Sequence, residues 1–194
     1  MDGIQLLYEE HDNILLFTKV VDKLCCNVLQ GEEVPVEKFR QCVEFVKQYA
    51  DKHHHGKEEE ILFHYMLEEL NPLAEKLIRH GMLVEHDLGR YHASELEKSL
   101  DAYEAEPSVE KKLPILLHAA GHADLLKRHI LKENTAAFAF GKRSLSQEIK
   151  EKIDEDTQQF EEKAKQKKVQ EKYLSWLKDI LQELKVEYTQ EIIW

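Results

Sequence analysis

The stretch HHGKEEEILF at residues 54–63 has a counterpart in HILKENTAAF at residues 129–138. In each stretch a histidine is followed four residues later by a glutamate; the pairs are His54 with Glu58 and His129 with Glu133. On an α-helix this spacing places the imidazole and the carboxylate on one face, one turn apart. One such pair is common on helix surfaces, but two pairs on separate helices indicate a site shared between those helices.

The chain around these stretches predicts four long helices and therefore an all-α fold. Glycine (7) and proline (4) are scarce, and apolar residues recur at helical spacing between a few breaks. The predicted helices run from Ile4 to Leu29, from Val36 to Leu70, from Leu73 to Glu104, and from a start at Ser108 or Lys112 to Phe140. Because their lengths are similar and their connections short, we expect an up-down-up-down four-helix bundle.

The last part of the chain has a different composition. We expect residues 1–141 to form the bundle domain and residues 142–194 to form an extension of two additional C-terminal helices. The stretch from Ser144 to Lys168 is highly charged, which predicts a solvated helix face rather than a ligand site. Apolar residues then return at helical spacing, which predicts that the last helix packs on the bundle. They are Tyr173, Leu174, Trp176, Leu177, Ile180, Leu181 and Leu184.

Charge and hydropathy restrict the partners that we expect. The formal net charge of −11 disfavours nucleic acid, which requires a clustered basic surface. No run approaches the roughly 20 apolar residues that span a membrane, and the first residues lack the pattern of a signal peptide. The cysteines, Cys25, Cys26 and Cys42, are not the even set of a disulfide framework. We therefore expect a cytoplasmic protein with reduced, buried cysteines.

The register of the second helix determines which histidine faces the interior. Its apolar stripe continues through His54 and Glu58, whereas His55 and Glu59 point about 100° further round the helix. We therefore prefer the first pair as interior residues and keep the second pair as the alternative register. The stripe of this helix is Val46, Ala50, His54, Glu58, Ile61 and Tyr65; that of the fourth helix is Ile115, His118, His122, Leu125, His129, Glu133, Ala136 and Phe140.

Polar side chains inside a bundle need partners, because burying them unpaired is costly. A metal ion would satisfy them, and hydrogen bonding between buried histidine and glutamate is the alternative. His11 and His86 lie among apolar residues of the first and third helices, so all four helices can supply a ligand. Tyr8 and Arg90 are candidates for hydrogen bonds beside them or for ordinary packing. Without metal, the like charges of two facing carboxylates and their burial should raise the pKa of at least one of them.

The remaining histidines have less specific surroundings. His122 lies on the interior stripe about 10 Å from His129, so we expect it to line a pocket or to hydrogen-bond in the core. His118 lies further along the same helix and is expected to be structural. Four histidines are predicted to lie at the surface: His53, His64, His80 and His92.

Four segments together resemble the ligand motifs of hemerythrin-like (HHE cation-binding) proteins. They are EEHDN (residues 9–13), HHGKEEEILF, EHDLGR (residues 85–90) and HILKENTAAF. The resemblance implies an up-down bundle that holds two non-haem iron ions bridged by Glu58 and Glu133. The ligand set that it implies is His11, His54, Glu58, His86, His129 and Glu133. The tail around residues 170–173 resembles an extension found in many bacterial and archaeal members.

Two positions depart from the oxygen-carrying members of that family. Those proteins have a second histidine on the third helix where this chain has Met82, and an aspartate where it has Glu133. The pattern is therefore nearer to the iron-centre repair proteins and to uncharacterised HHE domains. A smaller ligand set implies open positions on the metals for O2, peroxide or NO.

These features predict a non-haem di-iron protein that binds a small oxidant or diatomic ligand for sensing, storage or detoxification. The alternatives are an enzyme of peroxide or NO reduction, an iron donor for cluster repair, and an interaction bundle with structural metal. Mixed imidazole and carboxylate ligands suit iron, with manganese or zinc as alternatives. The sequence leaves enzymatic activity and oligomeric state open.

Overall fold

The computed structural model describes residues 1–70 and 72–188, which contain six helices and no strand. Helix α1 spans Gly3–Leu29, α5 spans Gln147–Gln166 and α6 spans Val169–Glu183. Three longer helices, α2 (36–69), α3 (72–105) and α4 (109–144), combine α-helical and π-helical segments. Within the described ranges no helix is long and apolar enough to cross a membrane. The predicted break at Asn71 and the end of the predicted extension at 189–194 lie outside the described residues.

Segments with π-helical hydrogen bonding interrupt three of the bundle helices. The order in α2 is α-helical Val36–Phe45, π-helical Val46–His55 and Glu58–Leu62, and α-helical Phe63–Glu69. In α3 the segments are Pro72–Leu77, π-helical Ile78–Met82 and Leu83–Ala105. In α4 they are Val109–Lys132, π-helical Glu133–Ala137 and Phe138–Ser144. A π turn accommodates one more residue than an α turn, so it shifts the face that a helix buries.

Local side chains fix where several helices begin. Asp2, Ser108 and Ser146 precede α1, α4 and α5, and each accepts a hydrogen bond from the backbone N–H three residues later, at 2.9, 3.3 and 3.3 Å. These bonds satisfy amide groups that lack a partner within the helix. Gly31 follows α1 with a φ of +101°, a conformation that glycine adopts without steric cost.

The bundle core consists of two apolar clusters. Cluster 1 surrounds Phe17 and Tyr49, and cluster 2 surrounds Leu62 and Phe138. Every bundle helix contributes to both; α1 and α3 run from cluster 2 to cluster 1, whereas α2 and α4 run in the opposite sense. The up-down-up-down order predicted from the short connections is therefore confirmed.

A layer of buried histidine and glutamate separates the two clusters. On α1, for example, His11 lies between Leu7 of cluster 2 and Ile14 of cluster 1. The polar layer consequently lies at mid-length inside the bundle, between two regions of apolar packing.

The two C-terminal helices pack along the bundle. α5 places Ile149 and Ile153 in cluster 2, and α6 places Tyr173 and Leu177 in cluster 1. The hydroxyl of Tyr173 also donates to Glu44 on α2 at 2.8 Å. The charged α5 is nevertheless not only a solvated surface, because one of its glutamates, described below, reaches a buried lysine.

Some predicted burial is wrong by one residue because the π segments shift the helix faces. Tyr65 is half-buried and Met66 fills the core instead; likewise Ala136 is exposed and Ala137 is buried. Among the cysteines, Cys26 is exposed, whereas the other two are buried as expected.

Candidate metal centre

The six predicted ligands converge in the polar layer. Each is at most 2 % exposed. They come from α1, from the π-helical part of α2, from α3 and from the C-terminal half of α4; they are His11, His54, Glu58, His86, His129 and Glu133.

Two groups of potential ligands share this layer. In each group, one nitrogen or oxygen from every member lies within 4.8 Å of the others. The first group is His11, His54, Glu58 and Glu133, and the second is His55, Glu58, His86 and His129. Glu58 belongs to both groups, so two neighbouring ions would share one carboxylate.

The carboxylates of Glu58 and Glu133 lie between histidines of the two groups. Glu58 Oε1 is 3.3 Å from His54 Nε2, and Glu58 Oε2 is 3.4 Å from His86 Nε2. Glu133 Oε2 is 3.2 Å from His11 Nε2 and 3.1 Å from His129 Nε2, and its Oε1 is 3.6 Å from His86 Nε2. Each carboxylate thus faces histidines of both groups.

Every histidine in the layer has an oxygen acceptor next to Nδ1. In the first group, Nδ1 of His11 lies 2.7 Å from Asn134 and Nδ1 of His54 lies 2.8 Å from Glu10. In the second group, the acceptors are Asp51 for His55 at 3.3 Å, Glu59 for His86 at 2.6 Å and Glu85 for His129 at 3.0 Å. An acceptor at that nitrogen favours the tautomer with its proton on Nδ1, leaving Nε2 to face the centre. Metal-ligating histidines are commonly oriented in this way.

Several buried polar atoms in the layer make no hydrogen bond. They are Nε2 of His11, Nε2 of His54 and both carboxylate oxygens of Glu58 and of Glu133. Buried polar atoms are rarely left unpaired, because desolvation without a partner is costly. Cations between these atoms would satisfy them, so the residues fit a metal centre.

His55 joins the layer although the preferred register placed it outside. The π-helical segment Val46–His55 turns both His54 and His55 inward, so the two alternative registers are not exclusive. Glu59 is half-buried and accepts from His86 Nδ1 instead of facing the centre. Two sequence features could have indicated the inward position of His55. They are the adjacent His54 and the presence of Met82 in place of a histidine on the third helix.

Proton affinity in the metal-free layer differs from the expectation. Burial opposes protonation of His11, but its contacts with Glu133 and Glu58 outweigh burial and raise its pKa to about 10. His86 is likewise opposed by burial, yet its contacts with Glu133 and Glu59 raise its pKa to about 10. The pKa values of Glu58 and Glu133 are lowered, although burial alone would raise them. The prediction of a raised carboxyl pKa is therefore wrong, because His11 and His86 hold the protons.

The predicted hydrogen-bond partners beside the layer are present. Tyr8 donates to the backbone oxygen of Asn134 at 3.2 Å, and the side chain of Asn134 contacts His11. Arg90 donates to Glu59 Oε1 at 2.6 Å, the oxygen that contacts His86 Nδ1. Both residues are therefore linked to a histidine through one intermediate residue.

The histidines outside the layer differ in how far they are exposed to solvent. His64 and His80 are exposed as predicted, whereas His92 is half-buried, with its Nδ1 3.3 Å from that of His118. His53 is only 3 % exposed, so its predicted surface position is wrong. His122 is buried in a cavity wall, and burial lowers its pKa to about 3.

A cavity of about 230 Å³ adjoins one side of the layer. Its wall includes His55 and His86 of the second group and also Gly89, Arg90 and His122. Arg90 is 40 % exposed, so the cavity extends from the protein surface to the second group. A small molecule entering there would meet this group before the first.

The fold and this layer define the protein as a helical bundle with buried histidine–glutamate clusters suited to a metal site. The chain belongs to the hemerythrin HHE cation-binding domain family, whose model matches residues 2–140. A comparison with curated proteins gave no match, and neither did a comparison with solved structures.

Proposed function

We propose that this chain is a non-haem di-iron protein that binds a small oxidant or diatomic ligand for sensing, storage or detoxification. The observation that carries the proposal is a pair of buried carboxylates whose four oxygens make no hydrogen bond. Each of the two carboxylates faces histidines of both groups. Five histidines with two carboxylates form a donor set suited to iron, and manganese or zinc are the competing metals. Iron held there would supply Lewis-acid and redox chemistry toward the ligand.

The chain's own residues would direct the ligand to one side of the centre. The cavity adjoins His55 and His86, whereas the first group is enclosed by the bundle. Its walls include Val46, Ala50, Ala93 and Leu126, so O2, NO or peroxide would enter a largely apolar space. The neutral imidazole of His122 can donate one hydrogen bond into that space.

Anaerobic iron titration followed by optical spectroscopy tests the proposal. We expect about two iron ions per chain and a spectrum that changes when O2, peroxide or NO is added. Glu58→Gln should lose the pair because the amide is a poorer bridging ligand, whereas Glu60→Gln alters an exposed neighbour and should keep it. A protein that holds one zinc ion and accepts no second ion would overturn the di-iron assignment. Spectra that respond to none of the three ligands would leave only a structural metal.

A further inference from the structure

A second buried cluster lies beside the proposed metal centre and contains a lysine. Lys57 is 1 % exposed and Glu10 is 2 % exposed, and both lie within the bundle. Lysine is rarely buried to this extent unless its charge is paired. Here the ammonium contacts Glu10, Glu161 and His53 Nε2, the last at 3.2 Å.

The ammonium occupies a position that could otherwise hold an ion. One nitrogen or oxygen from each of three residues, Glu10, His53 and Glu161, lies within 4.8 Å of the others. Lys57 Nζ is hydrogen-bonded to all three residues. The lysine therefore serves as a built-in cation for two carboxylates. Removing its charge would leave these carboxylates close together without a cation.

Glu10 connects this cluster to the metal centre. Its Oε1 contacts Lys57, and its Oε2 lies 2.8 Å from His54 Nδ1. Lys57 thus holds the carboxylate that orients the His54 ring. The carboxylates beside His86 and His129 are paired instead with Arg90 and Lys132, which are 40 % and 48 % exposed.

The cluster also includes both helices of the C-terminal extension. Glu161 lies on α5, and its Oε2 accepts from Gln170 on α6 at 3.0 Å. Since His54 belongs only to the first group of ligands, this contact links the extension to the first metal position.

We propose that Lys57 is a positioning residue of the metal centre. Through Glu10 it orients His54, and Glu161 of the extension holds its ammonium, so this cluster sets the affinity of the first metal position selectively. The inference rests on the proposed two-metal function. Partners that orient metal-ligating histidines typically change metal affinity ~10- to 100-fold when they are removed.

The test is anaerobic titration of the full chain with Fe(II) or Co(II) alone, using Lys57→Met, Glu161→Gln and the control Lys52→Met. Lys52 is exposed on the same helix. We expect Lys57→Met to weaken one of the two binding events by ~10- to 100-fold and to leave the other unchanged. Glu161→Gln should shift the same event in the same direction, and Lys52→Met should match the wild type.

A second measurement separates positioning from general destabilisation. Melting of the metal-free variants reports the fold, whereas the spectrum of the weakened metal position reports the ligand environment of His54. If Lys57→Met binds both ions as the wild type does, or if both events weaken equally, the inference is wrong. If the wild type itself binds no pair of ions, the proposed function fails instead.

Discussion

The imidazole rings of His55 and His86 lie parallel, with centroids 3.9 Å apart and an interplanar angle of 8°. His55 comes from the π-helical part of α2 and His86 from α3, so two helices bring these rings together. Burial, followed by the neighbouring His86, lowers the pKa of His55 to about 4, which keeps its ring neutral at physiological pH. A neutral imidazole is the form that binds a metal ion. His55 therefore has the form that a ligand in the second group would need.

Replacing His55 by alanine should selectively weaken the second metal position. His55 belongs to the group that contains His86 and His129 and not to the first group. We expect His55→Ala to bind one ion with near wild-type affinity and the other at least ~10-fold more weakly, since losing a ligand should cost at least as much as losing a residue that orients one. Metal titration with His64→Ala, an exposed histidine of the same helix, supplies the control. Unchanged binding of both ions would place His55 outside the ligand set.

The stability of the metal-free protein should depend on pH through the histidines of the layer. His11 and His86 have pKa values raised from 6.5 to about 10, so their contribution is complete below pH 6.5 and is lost as the pH rises through about 10. The pKa values of His55 and His122 are lowered, so both rings stay deprotonated in the folded protein. Below pH 6.5 the unfolded chain binds protons at these rings that the folded protein does not, which reduces the stability of the fold. The metal-free protein should therefore be most stable near pH 6.5.

Melting temperatures from pH 5 to pH 10, recorded with chelator and with saturating metal, check this dependence. Bound metal replaces the protons on His11 and His86, so the loss above pH 6.5 should be smaller in the loaded protein. A metal-free melting temperature that rises steadily to pH 9 would contradict the raised histidine pKa values.

Gly89 offers a way to narrow the cavity without touching a ligand. A Cβ at this position would lie 3.4 Å from His122 Nε2 and 3.9 Å from Leu125 Cδ2, which is close contact without overlap. Gly89→Ala should slow the spectroscopic response to NO or peroxide while the metal content stays constant. Gly81→Ala is the matched control, because its Cβ would meet nothing within 4 Å. Both substitutions should preserve helix stability or raise it by up to ~1 kcal/mol. Equal response rates in the two variants would exclude this cavity as the route.

The sequence was sufficient to predict the helices and to pair His54 with Glu58 and His129 with Glu133, whereas the full set of six side chains was implied by the family resemblance. Breaks and apolar spacing are local properties, and a four-residue interval such as His129 to Glu133 fixes a shared helix face whatever surrounds it. Short connections then constrain the helices to alternate in direction. These features depend on neighbouring residues along the chain, so they can be read before the fold is known.

The features that the sequence did not predict depend on tertiary packing. Placing both His54 and His55 inward requires π-helical hydrogen bonding, which has no reliable local signature. His53 was assigned to the surface because its partner, Glu161, lies 108 positions away on α5. The charged composition of α5 likewise concealed that this one glutamate reaches a buried ammonium.

Metal removal should lower the melting temperature without unfolding the bundle. The two apolar clusters on either side of the polar layer contain most of the core, so they should hold the helices together in the metal-free protein. Metal that binds only the native state adds about 2.7 kcal/mol of stability when its free concentration is 100 times the dissociation constant. Chelation should therefore reduce the melting temperature while far-UV circular dichroism at room temperature remains helical.

His86→Ala should lose much of this metal-dependent shift in melting temperature, because His86 faces the carboxylates of both Glu58 and Glu133. His80→Ala changes an exposed histidine of the same helix and should keep the full shift. Equal shifts in the two variants would show that His86 is not a ligand, and loss of helical signal on chelation would show that the clusters alone cannot maintain the fold.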